Sequence, residues 1–206
     1  MKTLIAVPCM DQVPAQFAQC LATLQKVDQT VVAFQIGSLI HHSRNDLTSI
    51  AIQQGADYIF WLDSDMVFSP DTMVRMLKTH KEGAGDILTG VYFRRVHPFS
   101  PVLLKKLRFT ETEAETEEFD EIPDGLFEVE GCGFGCVLMP TDIAMDIIAK
   151  YGSPFDPING CGEDLAFCWR ARELGYKFIC DPSIRLGHVG HAVITREYWE
   201  NLKRIQ

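Results

Sequence analysis

The sequence predicts an α/β fold: one domain with a mostly parallel central sheet, helices on both faces and a smaller strand elaboration toward the C-terminus. Three observations predict it. Short apolar runs alternate with helical patterns as far as residue 90, which is the pattern of repeated strand–helix–strand units. One run, Tyr58-Ile59-Phe60-Trp61-Leu62, has no polar alternation, as a strand buried on both faces of a parallel sheet requires. The chain has 206 residues, 47% of them hydrophobic, enough for one filled core.

Taken in order, Thr3 to Val7 reads as the first strand, stopped by Pro8. Ala15 to Gln25 is an amphipathic helix with Phe17, Cys20, Leu21 and Leu24 on one stripe. Thr30 to Ile36 is β-branched and apolar, and Gly37-Ser38 ends it. Asn45 to Gln54 is helical, with Leu47, Ile50 and Ala51 inward and Gly55 as its stop. The strand at Tyr58 comes next. Pro70 marks the next helix start, continued by Asp71 to Lys81 with Met73, Val74 and Leu77 inward. Asp86 to Gly90 is a further strand. Beyond Val91 the rhythm loosens, with strand-like pieces at 102–104, 126–130, 136–139 and 176–180. Helices are expected at 141–150, 165–174 and 195–205, the last capped by Thr195.

The net charge of −9 is concentrated. Seven acids, from Glu111 through Glu121, occupy a stretch with no basic residue, and 110–125 is expected to be a mobile acidic loop. Arg94, Arg95, Lys105, Lys106 and Arg108 form a basic excess read as a solvated face. A globally acidic chain does not favour nucleic acid as a partner. No apolar run is long enough for a transmembrane segment, and the N-terminus lacks a secretory pattern, so a cytoplasmic protein is expected. Seven scattered cysteines without a CxxC pair suit a reducing compartment rather than disulfides or zinc.

Asp63-Ser64-Asp65 closes the apolar run. In open α/β sheets ligands sit beyond the carboxyl ends of the strands, and residues two apart on extended chain share a side. Two carboxylates there repel unless neutralised; a divalent cation, Mg²⁺ or Mn²⁺, is the natural solution. The plain alternative is a turn in which Asp65 caps the next segment. Glu163-Asp164 precede a helix, where carboxylates are stabilised by the dipole; facing a cleft, either would also serve as a general base. His188, between Gly187 and Gly190, is a candidate third metal ligand, and His191 a weaker one. Ser43 or Asn45 can cap a helix, while Arg44 beside them can reach a diphosphate. Gly131, Gly133 and Gly135 either admit a sugar or phosphate close to the backbone or form a tight turn.

In this order the pieces resemble the GT-A fold (Rossmann-like) glycosyltransferases, especially the family-2-like group. The match runs through Ser43-Arg44-Asn45, Gly55-Ala56-Asp57, Asp63-Ser64-Asp65-Met66, Gly131 to Met139, Gly162-Glu163-Asp164, Arg170, Gly175, Pro182 and His188. The resemblance implies a single domain over 1–206, with 1–90 as the nucleotide-binding half and 91–206 completing the acceptor and metal sites. It implies a nucleotide-diphosphate sugar donor, with uridine as the expected base, and a hydroxyl acceptor that is a glycan, a protein or a small molecule. It places Mn²⁺ or Mg²⁺ on Asp65 and His188, with Asp63 near ribose, sugar or metal. Asp164 becomes the base of an inverting reaction, with Glu163 as competitor. Val7, Pro8, Cys9, Arg44, Ser64 and Gly133 lie near the nucleotide sugar. The sequence departs from the family at 35–38, where many members carry an acid that reads uracil.

Two rival readings rest on the same residues. A haloacid-dehalogenase-type phosphatase would use Asp63-x-Asp65, but its motif belongs on the first strand. A non-catalytic sugar-nucleotide-binding protein would keep the site and lose turnover.

Overall fold

Alternate side chains of each central strand enter opposite cores, and that decides the layering. Leu4 and Ala6 of β1 (Thr3–Cys9) point to one side, Ile5 and Val7 to the other. Ile59 and Trp61 of β3 (Tyr58–Leu62) oppose Phe60 and Leu62 in the same way. Helices therefore cover both faces. On one side lie α2 (Ile40–Gln53), α4 (Thr141–Tyr151) and α5 (Glu163–Glu173); on the other lie α1 (Ala15–Thr23) and α3 (Thr72–Lys81). The structure, a computed structural model, describes residues 1–37, 39–110, 113–190 and 193–205.

The central sheet has seven strands in the order β2-β1-β3-β10-β5-β11-β8, adding β2 (Thr30–Ile36), β10 (Cys136–Pro140), β5 (Ile87–Val91), β11 (Phe178–Arg185) and β8 (Phe127–Val129). The expected α/β fold with a mostly parallel sheet is what forms. β2, β1, β3, β5 and β11 run one way; β10 and β8 run against them. The central strand is thus flanked by one parallel and one antiparallel neighbour, not by two parallel ones. The insertion of β10 matters, because an antiparallel strand starts where its neighbours end. It brings the glycines before Cys136 to the carboxyl ends of β3 and β5.

Two small sheets complete the domain. β4 (Met66–Val67) pairs with β12 (Gly187–Val189), which pairs with β13 (Val193–Ile194). β6 (Leu103–Phe109) pairs with β7 (Ala114–Glu118) and β9 (Gly131–Cys132). Helix α6 (Arg196–Ile205) ends the chain, and Trp199 on it stacks on Phe93 with ring centroids 5.2 Å apart.

Several expectations need correction. The acidic stretch is not a free loop: Ala114–Glu118 is a strand laid on the basic strand β6. Lys105 bonds Glu117 at 2.6 Å, Arg94 bonds Glu118 at 2.7 Å and Lys106 approaches Glu115 at 3.9 Å. Opposite charges paired across strands hold an otherwise unfavourable acidic sequence extended; of the basic excess, Arg94, Lys105 and Lys106 are its counterpart, while Arg95 and Arg108 pair with Asp65 and Glu130. Glu111 lies outside the described residues. Pro8 does not stop β1. Cys9 O accepts from Gly37 N–H on the β2 side, so Pro8 addresses β3, whose pairing with β1 ends at Ala6–Trp61; no ladder bond is asked of the missing N–H. Helix α2 starts five residues before Asn45, at Ile40, so Ser43 and Asn45 sit within it rather than capping it.

Candidate functional site

The carboxyl ends of β3, β5 and β11 meet at one edge of the sheet. The segments leaving them are Asp63-Ser64-Asp65, Tyr92 to Arg95 and Gly187-His188. The start of β10 and the N-terminus of α5 close the same region. Asp63 N–H donates to Gly135 O at 3.0 Å, tying the acidic turn to the glycine segment.

The two aspartates meet different cations. Asp63 Oδ1 accepts from Arg44 Nη2 at 2.8 Å, and Arg44 Nε donates to Glu163 Oε1 at 3.2 Å. Arg44 is only 2% exposed. Its guanidinium lies 5.4 to 5.9 Å from the ring centroids of Phe134, Trp61 and Phe155. Burial favours a neutral arginine, but Asp63, Glu163 and Asp164 outweigh it and fix the charge. Arg44 is an internal clamp joining the β3 turn to the start of α5. Its Nε and Nη2 are committed to two different carboxylates, while Nη1 is buried with no partner among the described residues.

Asp65 Oδ2 accepts from Arg95 Nη1 at 2.8 Å, and Asp65 Oδ1 lies 3.4 Å from His188 Nε2. The histidine is delivered by backbone pairing: His188 is in register with Met66, and Val189 N–H donates to Asp65 O at 2.8 Å. His188 Nδ1 is 2.9 Å from Phe93 O. A carbonyl only accepts, so Nδ1 donates to it and Nε2 faces the carboxylate. Burial pushes the Asp65 carboxyl up, but His188 and Arg95 together hold it below the ordinary range. His191 lies outside the described residues.

Asp164 is half-buried at the start of α5, and burial together with Glu163 pushes its carboxyl up to about 6, against the Leu165 N–H and Arg44. It lines a cleft of about 80 Å³ with Gly133, Cys132, Arg94 and Leu165. Glu163 is held by Arg44, so of the adjacent acids Asp164 is the one facing the cleft.

Gly133 and Gly135 are dictated by a tyrosine. A Cβ on Gly133 would stand 2.0 Å from Tyr92 Oη, and one on Gly135 would stand 2.8 Å from Tyr92 Cζ. Tyr92 Oη accepts from Gly135 N–H at 3.2 Å, and its ring meets His188 edge-on at 5.5 Å. Burial, then Asp63 and Asp164, hold this phenol well above its ordinary value, so it stays protonated. The close approach that the glycines permit is that of a side chain of this chain. Ser64 is half-buried in the turn and Cys9 half-buried at the end of β1, while Val7 is fully buried and addresses the core.

Sequence reasoning missed Tyr92, the Phe93 carbonyl, Arg95 and the aromatic box around Arg44. Only Arg95 left a signal, as part of the basic excess. Among the described residues no three His, Cys, Asp or Glu side chains gather as a metal cage. Asp65 and His188 do fit a hard divalent ion chemically, as a carboxylate and an imidazole whose far nitrogen is fixed on a carbonyl.

No protein-family model matches the chain, and no curated protein matches it. Among solved structures it is similar to A197 from STIV, with a TM-score of 0.67 and 18% identity over 95% of this chain and 94% of that one. The likeness shows the fold alone. No helix among the described residues is long and apolar enough to cross a membrane.

Proposed function

We propose that this chain is a metal-dependent glycosyltransferase of the GT-A kind, moving a sugar from a nucleotide diphosphate to an acceptor hydroxyl with inversion. The observation that carries the reading is the β4–β12 pairing, which sets His188 against Asp65 at the same sheet edge as the cleft-facing Asp164. An edge holding a cation-ready pair and a separate basic carboxylate suits a reaction with a charged leaving group and a hydroxyl nucleophile. It is also where open α/β sheets bind ligands.

Asp65 and His188 would hold Mn²⁺ or Mg²⁺, which when bound supplies Lewis-acid stabilisation of negative charge on a departing diphosphate. Asp164 takes the proton of the acceptor hydroxyl. Its carboxyl at about 6 is ionised at neutral pH yet basic enough to accept that proton. Arg44 keeps Glu163 engaged, so that the two adjacent acids do not compete for the role. Arg95 balances Asp65. The phosphatase reading has less support, because its nucleophile would be Asp63, whose carboxylate is held by a buried arginine.

Thermal shift with UDP, GDP, CDP and dTDP, each with and without Mn²⁺, tests the proposal. A ligand that binds only the folded chain at 100 times its Kd stabilises by about 2.7 kcal/mol. One nucleotide diphosphate is expected to raise Tm in a metal-dependent way, followed by release of sugar from the matching donor. If none of the four shifts Tm with metal present, the reading fails. Binding without turnover would leave the sugar-nucleotide-binding alternative.

A further inference from the structure

Six of the ten exposed large hydrophobic side chains among the described residues lie along one edge of the central sheet. Val31, Phe34 and Ile36 are on β2, and Met10, Leu39 and Ile40 stand at its carboxyl end. Ile36 is 68% exposed and Phe34 44%. From Gln29 to Ser43 there is no Asp, Glu, Lys or Arg. Natural edge strands are protected by short length, by Lys or Pro, or by a bulge. β2 has none of these: it runs seven residues, in unbroken register with β1 from Thr30 to Ile36. The opposite edge is protected, since β8 is three residues long and carries Glu128.

The backbone directions can be read from the ladder. Thr3 N–H donates to Gln29 O and Gly37 N–H to Cys9 O, so Gln29, Val31, Ala33, Gln35 and Gly37 address β1. Thr30, Val32, Phe34 and Ile36 turn both N–H and C=O outward, with no backbone partner among the described residues.

We propose that this edge binds a second copy of the chain, antiparallel, about a twofold axis through Ala33. In that register Thr30 lies opposite Ile36 of the second copy and Val32 opposite Phe34. Every outward residue of both copies then exchanges both of its bonds, and two seven-stranded sheets become one. A slip of two residues leaves an outward residue on each copy unpaired. Phe34 packs beside Val32 across the axis, and Ile36 beside Thr30. Charge selects the same edge. Two chains of net charge −9 repel over most of their surfaces, and least along a stretch with no formal charge. A strand of another protein could satisfy the same backbone groups; the mass measurement below separates the two occupants.

Sedimentation equilibrium on the full chain is expected to give the mass of two chains, falling to one on dilution. Phe34→Lys, at an exposed position, is expected to weaken the dimer by at least about tenfold, with an unchanged circular-dichroism melt at dilutions where both proteins are single chains. The register has its own test. Ala33 faces its own copy in a pair that does not exchange hydrogen bonds, where Cα atoms are about 4.5 Å apart, within disulfide reach. Ala33→Cys is therefore expected to cross-link under mild oxidation beyond the level of the unsubstituted chain. Gln35→Cys, which faces Val31, is not. A chain that keeps single-chain mass at every concentration overturns the proposal. So does a dimer that survives Phe34→Lys and does not cross-link at position 33. If Phe34→Lys fails to fold, the comparison of the two cysteine variants decides.

Discussion

His188 Nε2 lies 3.4 Å from Asp65 Oδ1, and what brings the two together is a pair of very short strands, Met66–Val67 and Gly187–Val189. The strand after the acidic turn and the strand after β11 share a register, so the imidazole is placed by main-chain bonds. The Phe93 carbonyl then fixes which ring nitrogen faces the acid. The arrangement presents a carboxylate oxygen and a ring nitrogen to the same small volume, and a cation, whether a proton or a metal ion, resolves the contact.

If that cation is a metal, His188→Ala will weaken Mn²⁺ affinity by at least about 10-fold and remove metal-dependent nucleotide stabilisation. The fold should lose only about 1 kcal/mol, from the Nδ1 bond to Phe93 O. Mn²⁺ titration followed by thermal shift and urea unfolding measures the two effects separately. Equal Mn²⁺ affinity in the variant would remove His188 from the ligand set.

The strands and most helices were legible because apolar periodicity is a local property. Thr30–Ile36 and Tyr58–Leu62 form as read, and Asp63, Asp65, Asp164 and His188 all reach one edge of the sheet. What was not legible depends on pairing across the chain. The acidic segment reads as a loop until Lys105 and Arg94 are known to lie opposite it. The place of Arg44 rests on Trp61, Phe134 and Phe155, three aromatics that no sequence motif groups together. The packing of Tyr92 against the glycines at 133 and 135 gave no sign, because the tyrosine is distant in sequence.

Arg44→Met will destabilise the chain by about 3–5 kcal/mol, the cost of leaving charged partners of a buried pair uncompensated. Glu163 and Asp63 would face the hole, with side-chain exposures of only 14% and 29%. Lysine should not substitute, because a point charge cannot reach both carboxylates as the guanidinium fork does. Urea unfolding of the two variants checks this. A loss below about 1 kcal/mol for Arg44→Met would mean that the clamp behaves like a surface pair.

Asp164 links stability to pH in a known direction. Its carboxyl is raised from 3.8 to about 6 in the folded chain, so between those values the folded state holds more protons than the unfolded one. Stability therefore falls as pH rises through that window and stays lower above it. Asp164→Asn does not ionise and keeps an oxygen for the Leu165 N–H. It should match the unsubstituted chain near pH 4 and exceed it at neutral pH by about 1–3 kcal/mol, allowing for partial exposure. If the proposed reaction holds, the same variant loses about 10²–10⁴-fold in transfer rate, and the unsubstituted enzyme's rate rises with pH through about 6. A variant that transfers normally, or is less stable at neutral pH, contradicts the assignment.

Gly133→Ala tests why the glycine is there. The added Cβ would meet Tyr92 Oη, which is buried, at 2.0 Å and Val102 Cγ1, which is half-buried, at 2.7 Å, so a loss of about 1–3 kcal/mol is expected from overpacking. Tyr92→Phe alone should cost about 1 kcal/mol by removing the acceptor for Gly135 N–H. Combined, the two changes should cost less than their sum, because the phenylalanine ring leaves its nearest atom, Cζ, at 3.1 Å. A double-mutant cycle by urea unfolding reads the coupling directly. If the glycine were instead kept for a ligand, Gly133→Ala would leave stability nearly unchanged, the cycle would be additive, and nucleotide-dependent stabilisation would fall.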